Sequence, residues 1–391
     1  MASESRLHPI PYSRQFIDQD DIDAVCAVLR SDYLTQGPAV ERFEHDLCVA
    51  TGARHAVAFS SGTAALHVAV ASLRIPPGTA GVTSALTFAA SANCMVYNDI
   101  RPLFCDIDRR TYTMDPDALD RKLKAGAKVV IPVHFAGQAC DMEAIAELAR
   151  ARRAVVIEDA AHALGSRYAD GSPVGNCRYS AMTVFSFHPV KTITTGEGGA
   201  VTTNDDDLAA RLRMLRSHGI TRDPALLGEH PGPWYYEMQE LGFNYRLTDL
   251  QAALGSSQLA KLGMFIARRR AIVARYNKSF SDLETVTTPH EKPGLKSAFH
   301  LYVLLVDFDR LDASRAQVMD ALRREGVCTQ VHYLPVYLHP FYRKRFGYKP
   351  GECPVSEEYY RLALSLPLFP GMNEDDIKQV VRAVRKVCAP R

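Results

Sequence analysis

Short apolar runs alternate with amphipathic stretches through the first half of this chain, and that alternation limits the fold more than any other feature. Runs at 55–59, 81–84, 102–106, 128–134 and 154–159 read as strands, and 64–73, 89–96, 116–124 and 141–152 read as helices between them. Strands separated by helices cannot pair as tight hairpins. They pair in parallel through crossovers, and the helices cover both faces of the sheet. The fold class is therefore α/β with a mostly parallel sheet. In such sheets ligands collect at the carboxyl ends of the strands. Gly62, Phe88, His134, Asp159, Ser186 and Lys191 all fall at or just after strand ends, so one shared site is expected.

Around this core, residues 7–17 carry Pro9 and Pro11 and read as an extended arm. Helices are expected at 18–29 and 39–51, joined by the loop SDYLTQGP and ended by Gly52. After the alternating region come a helix at 205–216, a Pro/Gly-rich aromatic segment at 224–236, and a helix opened by Thr248 and Asp249. A long helix is expected at 259–283, then strands at 300–308 and 328–335 around a helix at 313–325, and a last helix at 374–387. This tail reads as a smaller α+β domain. The division expected is an arm at 1–17, a large domain at 18–258 and a small domain at 259–391.

Composition excludes several classes of function. A net charge of +2 over 391 residues gives no reason to expect nucleic acid or an anionic membrane as partner. The densest basic run, Arg268, Arg269 and Arg270, reads as a solvated helix face or an interface. No apolar run is long enough to span a bilayer, and MASESRLHPIPYSRQ lacks the pattern of a signal peptide. Nine scattered cysteines without CxxC favour reduced thiols in a cytoplasmic protein. Thirteen histidines without paired ligand spacing leave a metal site unsupported.

Chemistry enters with VFSFHPVKTITTGEGGAVTTN (184–204), read as a strand ending near Phe187, a loop carrying Lys191, a glycine-rich turn, and a strand at 199–203. Lys191 lies among small and hydroxyl residues, with Glu197 the nearest acid in sequence. A lysine kept partly from water becomes a usable amine nucleophile, although a loop lysine is more often simply solvated. Gly62 and Thr63 open a helix straight after a strand, which suits a phosphate, although a plain helix cap is the commoner reading of such a start. Asp159 ends an apolar strand, where a carboxylate needs a partner. It reads equally as a cap of the next segment. His162, three residues on, either joins the same site or is an interior hydrogen-bonded histidine.

Taken together, SSGTAAL, TFAASAN, IEDAAHALGS, FSFHPVKTITTGEGGAVTTN and GFNYRLTDLQAALG resemble the DegT/StrS-type sugar aminotransferases over nearly the whole chain. The resemblance implies the pyridoxal 5′-phosphate (PLP) dependent transferase fold type I. It implies a Schiff base between PLP and Lys191, Asp159 on the pyridine nitrogen, and His162 near the phenolic oxygen. Phe88 would lie against the ring, and Gly62, Thr63 and Ser186 would hold the phosphate. Asn244 would reach it from a neighbouring subunit, making a homodimer with shared sites. Tyr12, the loop Asp32, Tyr33, Leu34 and Thr35, and the segment Gln330, Val331, His332 and Tyr333 match segments that line the sugar-nucleotide pocket. SDYLTQGPAVERFE, VHFAGQACDMEAI and QVHYLPVY resemble the branch that moves an amino group from L-glutamate to C4 of a UDP-linked 4-keto-6-deoxy-N-acetyl hexose, towards pseudaminic acid. Rival readings are a sister enzyme for another keto sugar, a PLP-binding regulator without turnover, and a purely structural α/β protein.

Overall fold

The computed structural model describes residues 9–389. Helices α1 (Gln19–Leu29) and α2 (Pro38–Thr51) precede a sheet of strands β1 (His55–Phe59), β2 (Ala80–Ser84), β3 (Arg101–Cys105), β4 (Val129–Ile131), β5 (Val155–Asp159), β6 (Met182–Ser186) and β7 (Gly199–Thr203). The spatial order is β1-β7-β6-β5-β4-β2-β3. Strands β3, β2, β4, β5 and β6 run parallel, and β7 is antiparallel to both neighbours. The exception follows from chain length: only the Lys191 loop joins β6 to β7, too short for a crossover helix, so the two strands turn back on each other. From β1 to β5, α3 (Gly62–Ser72), α4 (Ala90–Tyr97), α5 (Pro116–Leu123) and α6 (Met142–Ala151) make the connections; residues 160–181 link β5 to the parallel β6 without a helix, and α7 (Asp206–Arg216) follows β7.

Alternate residues of each strand enter two cores, one on each face. Val57, Val129, Ile131, Ile157 and Val201 pack on one side with Leu66, Val70, Met95 and Leu212 of the helices. Ala56, Ala58, Val130, Val156 and Ala200 pack on the other with Phe43, Leu119, Ile145 and Ala252. Burial on both faces is why these strands read as continuous apolar runs.

Beyond the sheet lie a two-stranded ribbon, β8 (Ile220–Thr221) with β9 (Glu237–Met238), and helices α8 (Asp249–Ala260) and α9 (Leu262–Phe280). The long helix expected from 259 instead breaks at Lys261, whose ammonium pairs with Asp18 and Asp21. A second, antiparallel sheet orders β10 (Val286–Thr287), β11 (Tyr302–Val306) and β12 (Ala363–Leu366), packed on α9, α10 (Arg315–Arg324) and α13 (Glu374–Val387). The expected strand at 328–335 is not formed. Only Gln330 bridges to Ser365 on β12 before the chain leaves the sheet edge. Residues 363–366 supply the strand instead. Helices α11 (Pro340–Phe346) and α12 (Pro354–Leu362) fill the interval.

Of the expected arm, residues 1–8 lie outside the described residues. Ile10 pairs with Val327, and the Tyr12 carbonyl accepts the Leu368 N–H at 3.1 Å, so the arm is fastened to the edge of the second sheet. The arginine run departs from its reading as a solvated face. Three consecutive helical residues span more than half a turn, and the middle one, Arg269, points inward at 1% exposure.

Candidate active site

The ends of β1, β5 and β6 converge on a cavity of ≈ 560 Å³. Gly62, Thr63, Phe88, Asp159, His162, Ser186, Lys191, Tyr12 and the segment Gln330 to Tyr333 all line it. His134 does not, although it also follows a strand. It turns to the opposite face, where its Nε2 lies 2.7 Å from Glu158 and its Nδ1 accepts the Cys140 N–H. The period of two along β5 explains the difference: Glu158 and Asp159 project to opposite faces of the sheet.

Asp159 is 4% exposed, and its described partners all donate to it. Ser91 Oγ donates to Oδ2 at 2.6 Å, and the Ala161 N–H donates to Oδ1 at 3.1 Å. Thr87 Oγ1, 2.7 Å from Ser91 Oγ, orients that serine in turn. Lys191, half-buried, is pulled down to about 8 by removal of its ammonium from water, an effect partly offset by the charge of Asp159. Its charge partner is thus Asp159, thirty-two residues away, and not the Glu197 that lies nearest in sequence.

His162 is 5% exposed and held neutral. Burial is the main cause of its lowered proton affinity, with Lys191 and His332 adding repulsion. Its Nδ1 accepts the Ala136 N–H at 3.3 Å, so the ring proton sits on Nε2, which donates to Tyr333 Oη at 3.3 Å. The ring of His300 lies 4.4 Å from that of His162, and His332 is pushed down to about 4 by burial and by Lys191. Burial chiefly raises the Tyr333 hydroxyl, which stays protonated.

The opposite end of the cavity is a cradle of backbone. Ser61 caps α3 through the Ala64 N–H, and its carbonyl takes the Ala65 N–H. Among the described residues, no acceptor meets the N–H groups of Gly62 and Thr63. A Cβ on Gly62 would lie 2.8 Å from Ser186 Cβ, and one on Gly199 would lie 2.6 Å from Gly62 N and from Ser61 C and O. Free N–H groups at a helix start, glycine on both sides and a serine hydroxyl make a phosphate-sized anion site. A buried carboxylate and an amine of lowered proton affinity face the same space, which is the donor set that PLP requires.

Not every expected residue faces this cavity. Asp32, Tyr33, Leu34, Thr35 and Asn244 are exposed and lie outside its lining. The loop is fastened to the start of α8, where Thr35 bridges to Thr248 and the Leu34 carbonyl accepts the Asp249 N–H at 3.0 Å, while Asn244 bridges to Ser217. Sequence reasoning passed over Ser61, Ser91 and His300. Ser91 lay inside TFAASAN without a role, and nothing local distinguished His300.

A seven-stranded α/β sheet with a lysine and an aspartate facing one cavity beside a phosphate cradle defines a PLP-dependent enzyme of fold type I. Residues 15–385 match the family model for the DegT/DnrJ/EryC1/StrS aminotransferases, and the chain belongs to that family. It is 40% identical over 385 residues to the spore coat polysaccharide biosynthesis protein SpsC of Bacillus subtilis, covering 98% of each chain. Among solved structures it is similar to Helicobacter pylori PseC, an aminotransferase of pseudaminic acid biosynthesis. The TM-score is 0.90 and the identity 31%, over 97% of this chain and 99% of that one. The PLP form of Spr1654 from Streptococcus pneumoniae matches with a TM-score of 0.88 and 29% identity, over 97% and 99% of the two chains. The protein is a sugar aminotransferase that uses PLP.

Proposed function

We propose that this enzyme moves an amino group from L-glutamate to C4 of a UDP-linked 4-keto-6-deoxy-N-acetyl hexose, in the cytoplasm and as a homodimer. The observation that carries the chemistry is the placement of Lys191 and Asp159 on one cavity large enough for a cofactor and a sugar. The likeness to PseC supports the choice of sugar. The 40% identity to SpsC favours a second reading, another keto sugar destined for a surface polysaccharide.

In this reading bound PLP supplies the electron sink that makes a C–H bond beside nitrogen acidic. The chain's own groups do the rest. Lys191 would be the attachment point, and once free its neutral amine would accept the proton from one carbon and, as ammonium, return it to the other, a role its lowered proton affinity suits. Asp159 keeps a proton on the ring nitrogen, with Ser91 and the Ala161 N–H holding its carboxylate in place. His162 offers its Nε2–H towards the phenolic oxygen. Gly62, Thr63 and Ser186 would hold the phosphate, and Phe88 would lie against the ring.

Tyr12 and Gln330 to Tyr333 line the sugar end. The exposed loop 32–35 and Asn244, all outside this chain's own cavity lining, fit a reading in which each subunit lends them to its partner's cavity. In line with that, we take 18–258 as the PLP-binding domain and 259–391 as the smaller domain behind the sugar wall. No helix among the described residues is long and apolar enough to cross a membrane. The test is a coupled assay: generate the 4-keto sugar from UDP-N-acetylglucosamine with an inverting dehydratase, add glutamate and the holoenzyme, and identify the product by NMR. A C4 amine of L-altro configuration supports the proposal. A cofactor spectrum that responds to glutamate without a sugar product refutes this substrate and leaves the second reading.

A further inference from the structure

A second, much smaller cavity also touches Lys191. Its volume is ≈ 10 Å³, space for one water or one monatomic ion. Its polar lining is Arg14, Gln15, Lys191, Thr192, Thr194, Gln258 and Arg269; no carboxylate lines it.

Arg269 is the unusual member. Its side chain is 1% exposed, and burial pulls the guanidinium down to about 10. Nη1 donates to the carbonyls of Phe299, His300 and Leu368 at 3.4, 3.1 and 2.9 Å, while Nε is buried with no acceptor. Its neighbours in the helix behave differently, since Arg268 and Arg270 both pair with glutamates. A buried cation without a counter-charge is costly, and backbone carbonyls satisfy hydrogen bonds without balancing charge. The other groups around the cavity do not balance it either. Thr194 donates to the Phe187 carbonyl, and Gln258 donates to Phe16 and Asp21. Lys191 and the exposed Arg14 add two more cationic groups.

We propose that this cavity is a binding site for one monatomic anion, chloride in ordinary solution, held by Arg269 and shared with Arg14 and Lys191. The anion completes the guanidinium's hydrogen bonding and neutralises it. Because it lies against Lys191, it also favours that amine's charged form, so chloride tunes the group to which PLP attaches. This last consequence rests on the function proposed above; the site itself does not.

Crystals of the holoenzyme grown without chloride and soaked in sodium bromide test the site directly. The expected result is an anomalous peak within hydrogen-bonding distance of the Arg269 guanidinium. A companion titration in solution replaces gluconate by chloride at constant ionic strength and follows the thermal midpoint. The wild type is expected to show a saturable rise. Arg14→Gln, at an exposed position that does not threaten folding, shifts half-saturation to roughly three- to fivefold higher chloride, the size of an exposed charge contact. Arg269→Lys and Arg269→Met should lose the peak. A water in place of bromide overturns the proposal. So does binding at crystal concentration only, seen as a peak with no saturable response in solution, and so does a chloride response unchanged in the variants. Loss of transamination with the peak intact would count against the proposed reaction alone.

Discussion

Gly199→Ala is the perturbation that most directly tests the phosphate cradle. Neither Gly199 nor Gly62 needs the left-handed region, so an added methyl is resisted by contact alone. At Gly62 the methyl meets the Ser186 side chain at 2.8 Å, with Ser186 Cα 3.4 Å away. At Gly199 it meets backbone, Gly62 N and Ser61 C and O, all at 2.6 Å. Backbone cannot rotate aside, so the β1–α3 turn must move off β7. Overpacking of this kind costs about 1–3 kcal/mol of stability. Its larger effect falls on the cofactor. Moving the turn misaligns the Gly62 and Thr63 N–H groups, each worth roughly 1.5–3 kcal/mol against a charged acceptor. Losing both weakens PLP binding by about 3–6 kcal/mol, which is roughly 10²- to 10⁴-fold. The assay is a PLP titration of apo protein followed by absorbance, with thermal unfolding in parallel. Gly263→Ala is the control: a methyl there meets nothing within 4 Å, and helix propensity predicts a gain of up to about 1 kcal/mol. Wild-type PLP affinity and an unchanged thermal midpoint in Gly199→Ala would refute the cradle.

Four further outcomes are expected. Lys191→Ala should abolish turnover and the absorbance of covalently attached cofactor; substantial turnover would sink its role as proton carrier. Asp159→Asn should still bind PLP yet lose about 10²- to 10⁴-fold in kcat, and full activity would remove its role at the ring nitrogen. Ser91→Ala deletes a 2.6 Å donor to a buried carboxylate, so kcat/KM should fall by about 1.5–3 kcal/mol, or roughly ten- to a hundredfold. The neutral amine is the nucleophile, and Lys191 is lowered from 10.5 to about 8. Attachment of PLP to apo protein should therefore accelerate about tenfold per pH unit below that point and level off above it. A stopped-flow profile still rising well beyond pH 8 would mean that the amine is fully solvated.

The parallel sheet and the placement of Lys191 and Asp159 on one cavity were legible because both obey local rules. Alternating strand and helix patterns forced crossovers, and crossovers put Asp159 and Lys191 at one edge. Side-chain direction was less legible. His134 and Asp159 both follow strand ends, yet the pleat sends one to Glu158 and the other to the cavity. The small sheet misled the reading for a related reason. Residues 328–335 carry strand-like composition, but a strand exists only where an edge accepts it, and β12 accepts Gln330 alone. In turn, ALSL at 363–366 follows helix α12 without a break and gives no local sign of leaving it.

Tyr12 and Gln330 to Tyr333 were expected to line the cavity, and they do; what the sequence hid was how that wall is held, because three distant segments build it together. Tyr12 accepts from Leu368, Gln330 exchanges both backbone bonds with Ser365, and His332 Nδ1 lies 2.8 Å from Ser365 Oγ. Each bond joins residues far apart in the chain, and none has a spacing rule. Their joint effect is to carry Tyr333 across to His162, which the Ala136 N–H has already fixed as the Nε2–H tautomer. The second sheet thus determines the hydrogen bond that His162 makes. Arg269 ties helix α9 to the backbone at the end of that sheet where β11 begins and β12 finishes, at Phe299, His300 and Leu368. A substitution in the small sheet that loosens β12 should therefore alter the cofactor environment before it alters the large core, since Ser365 on β12 and Leu368 just beyond it hold Tyr12, Gln330 and His332 in the cavity wall.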